Sequence, residues 1–92
     1  MRAKKELGQH FLIQEGVAER LAKAIDTTGC TAIVEIGPGK GILTRHLLDL
    51  SLPVYAVELD RDMIPILERD FHDPNLHVIH GDILRVNLEE HL

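Results

Sequence analysis

Apolar and polar positions follow two different rhythms along this 92-residue chain. Over residues 14–26, Val17, Leu21 and Ile25 form one helical stripe with Ala18 and Ala22 beside it, while Glu15, Glu19, Arg20 and Lys23 lie mostly elsewhere. That spacing predicts an amphipathic helix ending near Thr27-Thr28-Gly29. Residues 31–36, Thr-Ala-Ile-Val-Glu-Ile, are short, β-branched and nearly all apolar, as expected of a parallel strand covered on both faces. Gly37-Pro38-Gly39-Lys40-Gly41 stops this strand, and apolar residues at 43, 47 and 50 predict a helix over 42–50. A second strand follows at 54–59, Asp60-Arg61-Asp62 opens another helix, and 76–80 forms a weaker third strand. Pro65 is acceptable only in the first turn of its helix, where a missing N–H would be unpaired anyway.

This alternation predicts an α/β protein, the βαβαβ half of a doubly wound sheet with an amino-terminal helix. No repeat or Pro/Gly-rich linker divides residues 1–92, so we read them as one unit: a basic lead-in over 1–13 and a sheet-forming part over 14–92. The expected sheet is partial, because Asn87-Leu88-Glu89-Glu90-His91-Leu92 supplies no further strand. An open sheet leaves an unpaired strand edge and an uncovered face, so self-association or strand exchange is expected.

Composition narrows the class. Apolar residues make up 45% and charged residues 27%, a globular balance without any apolar run approaching the roughly 18 residues of a membrane helix. The basic start lacks the apolar core and cleavage site of a secretory signal, and the single cysteine cannot form an internal disulfide. Both features point to the cytoplasm. The net charge of −5 is uneven: residues 1–25 carry five bases against three acids, and the remainder five bases against twelve acids. Only the lead-in is attractive to a polyanion.

Candidate chemistry centres on the glycine turn. A strand running into Gly37-x-Gly39-x-Gly41 and then a helix brings a ligand close to bare backbone at the carboxyl end of a sheet. The dinucleotide fingerprint would place its third glycine at position 42, which is Ile42, and Pro38 removes one N–H from the turn. Pyrophosphate is thereby disfavoured. A P-loop fails too, since Lys40 is followed by Gly41 and position 34 is Val34. Glu58, ending the second strand, can accept from both hydroxyls of an adenosine ribose, and Asp82 can accept from an adenine amino group with Ile83 beside the base. Glu35, Glu58 and Asp82 together suit a ligand carrying a sulfonium and an ammonium better than one carrying two phosphates. We therefore read an S-adenosyl-L-methionine site in a Rossmann-like methyltransferase fold.

Other residues have plainer readings. Glu35 either caps the following loop or touches ligand; Asp60 and Asp62 favour the positive end of a helix. The histidines have no metal-ligand spacing, and Cys30, at a strand entrance, is read as a small apolar residue rather than a nucleophile.

With these residues placed, the chain resembles the amino-terminal part of the KsgA-type ribosomal RNA adenine N6,N6-dimethyltransferases. Lys4-Lys5-Glu6-Leu7-Gly8-Gln9-His10-Phe11-Leu12 is similar to that family's basic lead-in and Gly-Gln-(Asn/His)-Phe-Leu signature. The second block, residues 34–44 around the glycine turn, is followed at the right distances by Val57-Glu58-Leu59-Asp60 and Gly81-Asp82-Ile83-Leu84. The resemblance implies that His10 and Leu12 cover S-adenosyl-L-methionine, Gly37 and Gly39 abut it, Glu58 holds its ribose, and Asp82 with Ile83 receives its adenine. It implies RNA phosphate contacts for Arg2, Lys4 and Lys5, and ribosomal RNA of the small subunit as the partner. The family's catalytic Asn-(Leu/Ile)-Pro-(Tyr/Phe) motif is absent, as is its carboxy-terminal RNA-binding domain, so these residues are expected to be inactive alone, with no catalytic residue assigned. Alternatives are a macrolide-resistance-type 23S ribosomal RNA adenine methyltransferase, a nicotinamide-dependent oxidoreductase and a non-catalytic binding or assembly module.

Overall fold

Parallel strands need a crossover that carries the chain back, and here helices supply it. The computed structural model describes residues 15–92. Helix α1 (Glu15–Ala24) precedes strand β1 (Ile33–Ile36); α2 (Ile42–Leu48) leads to β2 (Val54–Glu58), α3 (Met63–Asp70) to β3 (Leu76–His80), and a 3-10 turn spans Leu88–Glu90. The strands form one sheet in the order β1-β2-β3, all parallel. The predicted alternation is thus present: β3 matches its predicted span, and α1, β1, α2 and β2 are one to three residues shorter than their sequence patterns. Pro65 is the third residue of α3, inside its first turn.

Register explains where the core lies. Ile33, Val54 and Leu76 form one row across the sheet. They share the core with Ala22 of α1 and Leu47 of α2, joined by Leu43, Leu48 and Leu50. Val54 is fully buried, and each such aliphatic side chain contributes about 1.5–3 kcal/mol.

Two expectations about burial are corrected. The buried stripe of α1 is Ala18 and Ala22, whereas Leu21 and Ile25 remain 55% and 42% exposed. Small side chains let α1 approach α2 closely, and this contact rotates the larger stripe toward the outer edge of β1. Strand β1 is also not fully covered on both faces: Val34 and Ile36 are 39% and 64% exposed. Cys30, expected at the strand entrance, is exposed. The strand starts three residues later, so Cys30 sits in the turn after Gly29, its N–H donating to Thr27 O at 2.9 Å.

No helix among the described residues is long and apolar enough to cross a membrane.

Candidate functional site

Three parallel strands end on the same side of the sheet, and the loops leaving them build the site. The first is the glycine turn. Gly37 and Gly41 have φ values of 68° and 87°, a region costing an L-residue roughly 1–2 kcal/mol. The turn's N–H groups are used internally: Gly37 donates to Val57 O at 2.8 Å, Gly39 to Glu58 Oε1 at 3.0 Å and Gly41 to Pro38 O at 2.8 Å. A phosphate nest requires such groups to converge on the ligand. This turn spends them on the protein, which strengthens the case against pyrophosphate.

The second loop follows β2. Glu58 is buried, and its other oxygen, Oε2, accepts from Asp60 N–H at 2.9 Å. One carboxylate therefore pins the glycine turn to the exit of β2. Asp60 Oδ1 accepts from Asp62 N–H at 2.9 Å and Asp60 O from Met63 N–H at 3.1 Å, so Asp60 shapes the turn that leads into α3. Asp62 occupies the N-cap position but makes no side-chain cap bond.

The third loop follows β3. Gly81 N–H donates to Glu58 O at 2.9 Å, and Asp82 Oδ1 accepts from Leu84 N–H at 2.9 Å in an Asx turn. A Cβ at Gly81 would lie 2.6 Å from Val86 Cγ2. Position 81 thus lacks a side chain because Val86 folds back over it and holds the Asp82 turn.

A cavity of about 150 Å³ lies between these loops, lined by Gly37, Glu58, Leu59, Asp82 and Ile83 with Ile36, Val57 and Gly81. The residues predicted from sequence at 37, 58, 82 and 83 are brought together there. Gly39 reaches it only through its bond to Glu58. Arg2, Lys4, Lys5, His10 and Leu12 lie outside the described residues.

Glu35 does not cap the loop that follows β1. Its carboxylate accepts from the hydroxyl of Thr44, a residue of α2 with no exposed surface. Burial pushes the Glu35 carboxyl above its usual range, the Thr44 hydrogen bond opposes this, and the nearby charge of Glu58 adds to it. Glu35 lines a different, larger groove of about 400 Å³ between α1, β1 and α2, with Val17, Leu21, Ile25, Val34 and Ile36. The acids at 58 and 82 therefore share a cavity that Glu35 does not.

Sequence reasoning passed over Thr44, Phe71 and Val86. Thr44 was detectable as the hydroxyl three residues before Leu47 on the inward side of α2. Phe71 and Val86 gave no local signal, since each acts on a glycine distant in the chain or across a turn. Histidines take structural roles: His46 Nε2 lies 3.0 Å from Glu15 Oε1, His80 Nε2 lies 3.2 Å from Leu59 O, and His77 stacks on Tyr55 at 4.6 Å.

The whole chain, residues 1–92, matches the family of ribosomal RNA adenine dimethylases. It belongs to that family. Among its relatives is ribosomal RNA small subunit methyltransferase A of Geobacter metallireducens, 42% identical over 91 residues, covering 98% of this chain and 33% of the relative. The protein of the same name from Dehalococcoides mccartyi strain CBDB1 is 44% identical, covering 98% and 31%. This dimethylase-family chain thus spans about a third of the length of the curated relatives it matches. The glycopeptide N-methyltransferase MtfA, solved with S-adenosyl-L-methionine, superposes with a TM-score of 0.67 at 22% identity, over 82% of this chain and 35% of MtfA. The mitomycin 7-O-methyltransferase MmcR gives 0.63 at 22%, over 82% and 24%. These likenesses establish the fold as part of the Rossmann-like methyltransferase fold.

Proposed function

We propose that this chain is the cofactor-binding part of an S-adenosyl-L-methionine-dependent enzyme that dimethylates adenosines of small-subunit ribosomal RNA in the cytoplasm. The observation that carries the reading is the shared cavity: Glu58 and Asp82 line it together with Gly37 and Ile83 at the carboxyl ends of the three strands. Family membership supplies the substrate class.

The donor set suits this cofactor. The cavity offers carboxylates and apolar side chains, while the turn's N–H groups at 37, 39 and 41 are already engaged. The remaining lone pairs of Glu58 accept from the ribose hydroxyls, Asp82 Oδ2 accepts from the adenine amino group, and Ile83 lies against the base. Gly37 has nothing within 4 Å of where a Cβ would stand, so its bare Cα admits the methionine part. His10 and Leu12 cover the cofactor, and Arg2, Lys4 and Lys5 contact RNA phosphates. When bound, the cofactor supplies an electrophilic methyl group for an exocyclic adenine amine. The residues assigned here bind and orient it; none is assigned to the transfer step.

Calorimetric titration tests this. S-adenosylhomocysteine should give saturable heat that weakens in Asp82→Ala, and NAD should give none. Equal binding of both ligands, or an Asp82→Ala variant indistinguishable from the parent, would overturn the reading.

The exposed β1 edge, with Ile36 uncovered beside the apolar groove, supports a second proposal from the sheet alone: this chain self-associates in solution.

A further inference from the structure

Gly41 differs from Gly37, at the other end of the turn, in what surrounds it. A Cβ at position 41 would lie 2.6 Å from Cζ of Phe71 and 3.4 Å from Cδ2 of Leu67, whereas one at Gly37 would meet nothing within 4 Å. Phe71 is the residue that ends α3. Its N–H still donates to Leu67 O at 3.0 Å, but its backbone is extended, with φ −123° and ψ 121°. The chain leaves the helix at this point, which frees the ring to reach the root of α2. Leu67, one turn earlier, is fully buried beneath the same spot.

The glycine turn is consequently held on two sides by different forces. On the β2 side, Gly37 and Gly39 are tethered by hydrogen bonds to Val57 O and the Glu58 carboxylate. On the α3 side, the hold is apolar contact between Gly41 and the Phe71 ring. Gly41 is also the hinge of the turn: its N–H closes onto Pro38 O, its carbonyl accepts from Arg45 N–H at 3.1 Å to begin α2, and its φ of 87° is left-handed. A glycine at such a hinge has wide conformational freedom. Contact from a ring removes that freedom without occupying the cavity.

We propose that Phe71 is a positioning residue for cofactor binding, its ring wedged against Gly41 so that the glycine turn is set in its binding geometry before ligand arrives. The inference rests on the cofactor reading above. Phe71 is not among the residues lining the cavity, so its effect runs through Gly41. Preorganising a loop raises affinity by removing the ordering cost at binding. Losing the wedge should therefore weaken ligand without removing any ligand contact.

The test is a double-mutant cycle on the chain, read by S-adenosylhomocysteine calorimetry and by thermal unfolding. Phe71→Ala should weaken binding about tenfold, the order expected when one ordering contact is lost, and Phe71→Leu should restore most of it. Leu48→Ala serves as control, because Leu48 packs on the Ala22–Leu47–Val54 core away from the turn; it should lower the melting temperature and leave affinity unchanged. Gly41→Ala should cost less in the Phe71→Ala background than alone, since the clash with the ring is then gone. Strictly additive costs, or a Phe71→Leu variant that binds no better than Phe71→Ala, would overturn the wedge, as would affinity in Phe71→Ala equal to that of the parent. Should Phe71→Ala not fold, Phe71→Leu carries the cycle with Gly41→Ala. A parent chain that binds no S-adenosylhomocysteine refutes the cofactor reading instead, and the wedge is then judged on the non-additivity of melting temperatures.

Discussion

Glu58→Gln probes both the tether that the Glu58 carboxylate makes and the ribose contact proposed for it. Gln is nearly isosteric, so packing is preserved, but one acceptor oxygen becomes an NH2 group. Glu58 now accepts from Gly39 N–H at 3.0 Å and from Asp60 N–H at 2.9 Å. The amide keeps one of these bonds and sets a donor against a donor at the other. A charged hydrogen bond contributes about 1.5–3 kcal/mol. Both bonds are part-buried, but Asp60 is the more exposed of the two partners, so the amide oxygen should keep Gly39 and leave Asp60 N–H for solvent to reach. We expect a net loss of about 2 kcal/mol, equivalent to roughly 8–16 °C in melting temperature for a domain of this size. Ligand affinity should fall as well, because a neutral amide accepts more weakly from ribose hydroxyls: about 10–100-fold, at 1.4 kcal/mol per decade. Thermal unfolding followed by circular dichroism measures the first effect, and calorimetric titration with S-adenosylhomocysteine, run well below the variant's melting temperature, measures the second. A variant that melts with the parent and binds within twofold of it would refute the assignment of this carboxylate to both tasks.

Glu35→Gln should stabilise the protein at neutral pH. Burial raises the Glu35 carboxyl above its usual 4.5 in the folded chain, so the folded state holds its proton more tightly and parent stability falls as pH rises from the ordinary carboxylate range through the raised value. The amide still accepts from Thr44, and its advantage in melting temperature should be present at pH 7 and shrink toward pH 4.5; an advantage independent of pH would contradict the reasoning. Gly37→Ala meets no neighbour, so it should cost only the roughly 1–2 kcal/mol of a left-handed backbone in unfolding experiments, while its Cβ, at a residue lining the cavity, should abolish S-adenosylhomocysteine binding; retained binding would move the ligand elsewhere. Sedimentation should show concentration-dependent association of the chain that Ile36→Lys suppresses, and a monomer at every concentration for the parent would remove the open β1 edge as its cause.

The alternation of apolar runs, the glycine turn and the acids at 58 and 82 were legible in the sequence because each is local. Strand period, helix period and turn chemistry act over a few neighbouring residues, and strands that run parallel must all end on one side, so acids at strand ends share a mouth. Residue identity alone therefore determined the β-α-β order and the grouping of Gly37, Glu58, Asp82 and Ile83. Only the tertiary structure decided which apolar residues are buried. Ala18 and Ala22, rather than Leu21 and Ile25, face inward because α1 meets another helix at close range, and that distance is a property of the packed pair. It likewise decided that the Glu35 carboxylate takes a hydrogen bond from Thr44, and that the Phe71 ring lies where a side chain at Gly41 would stand. Those contacts join residues of different elements, and no local pattern can encode a distance that exists only once both elements have packed.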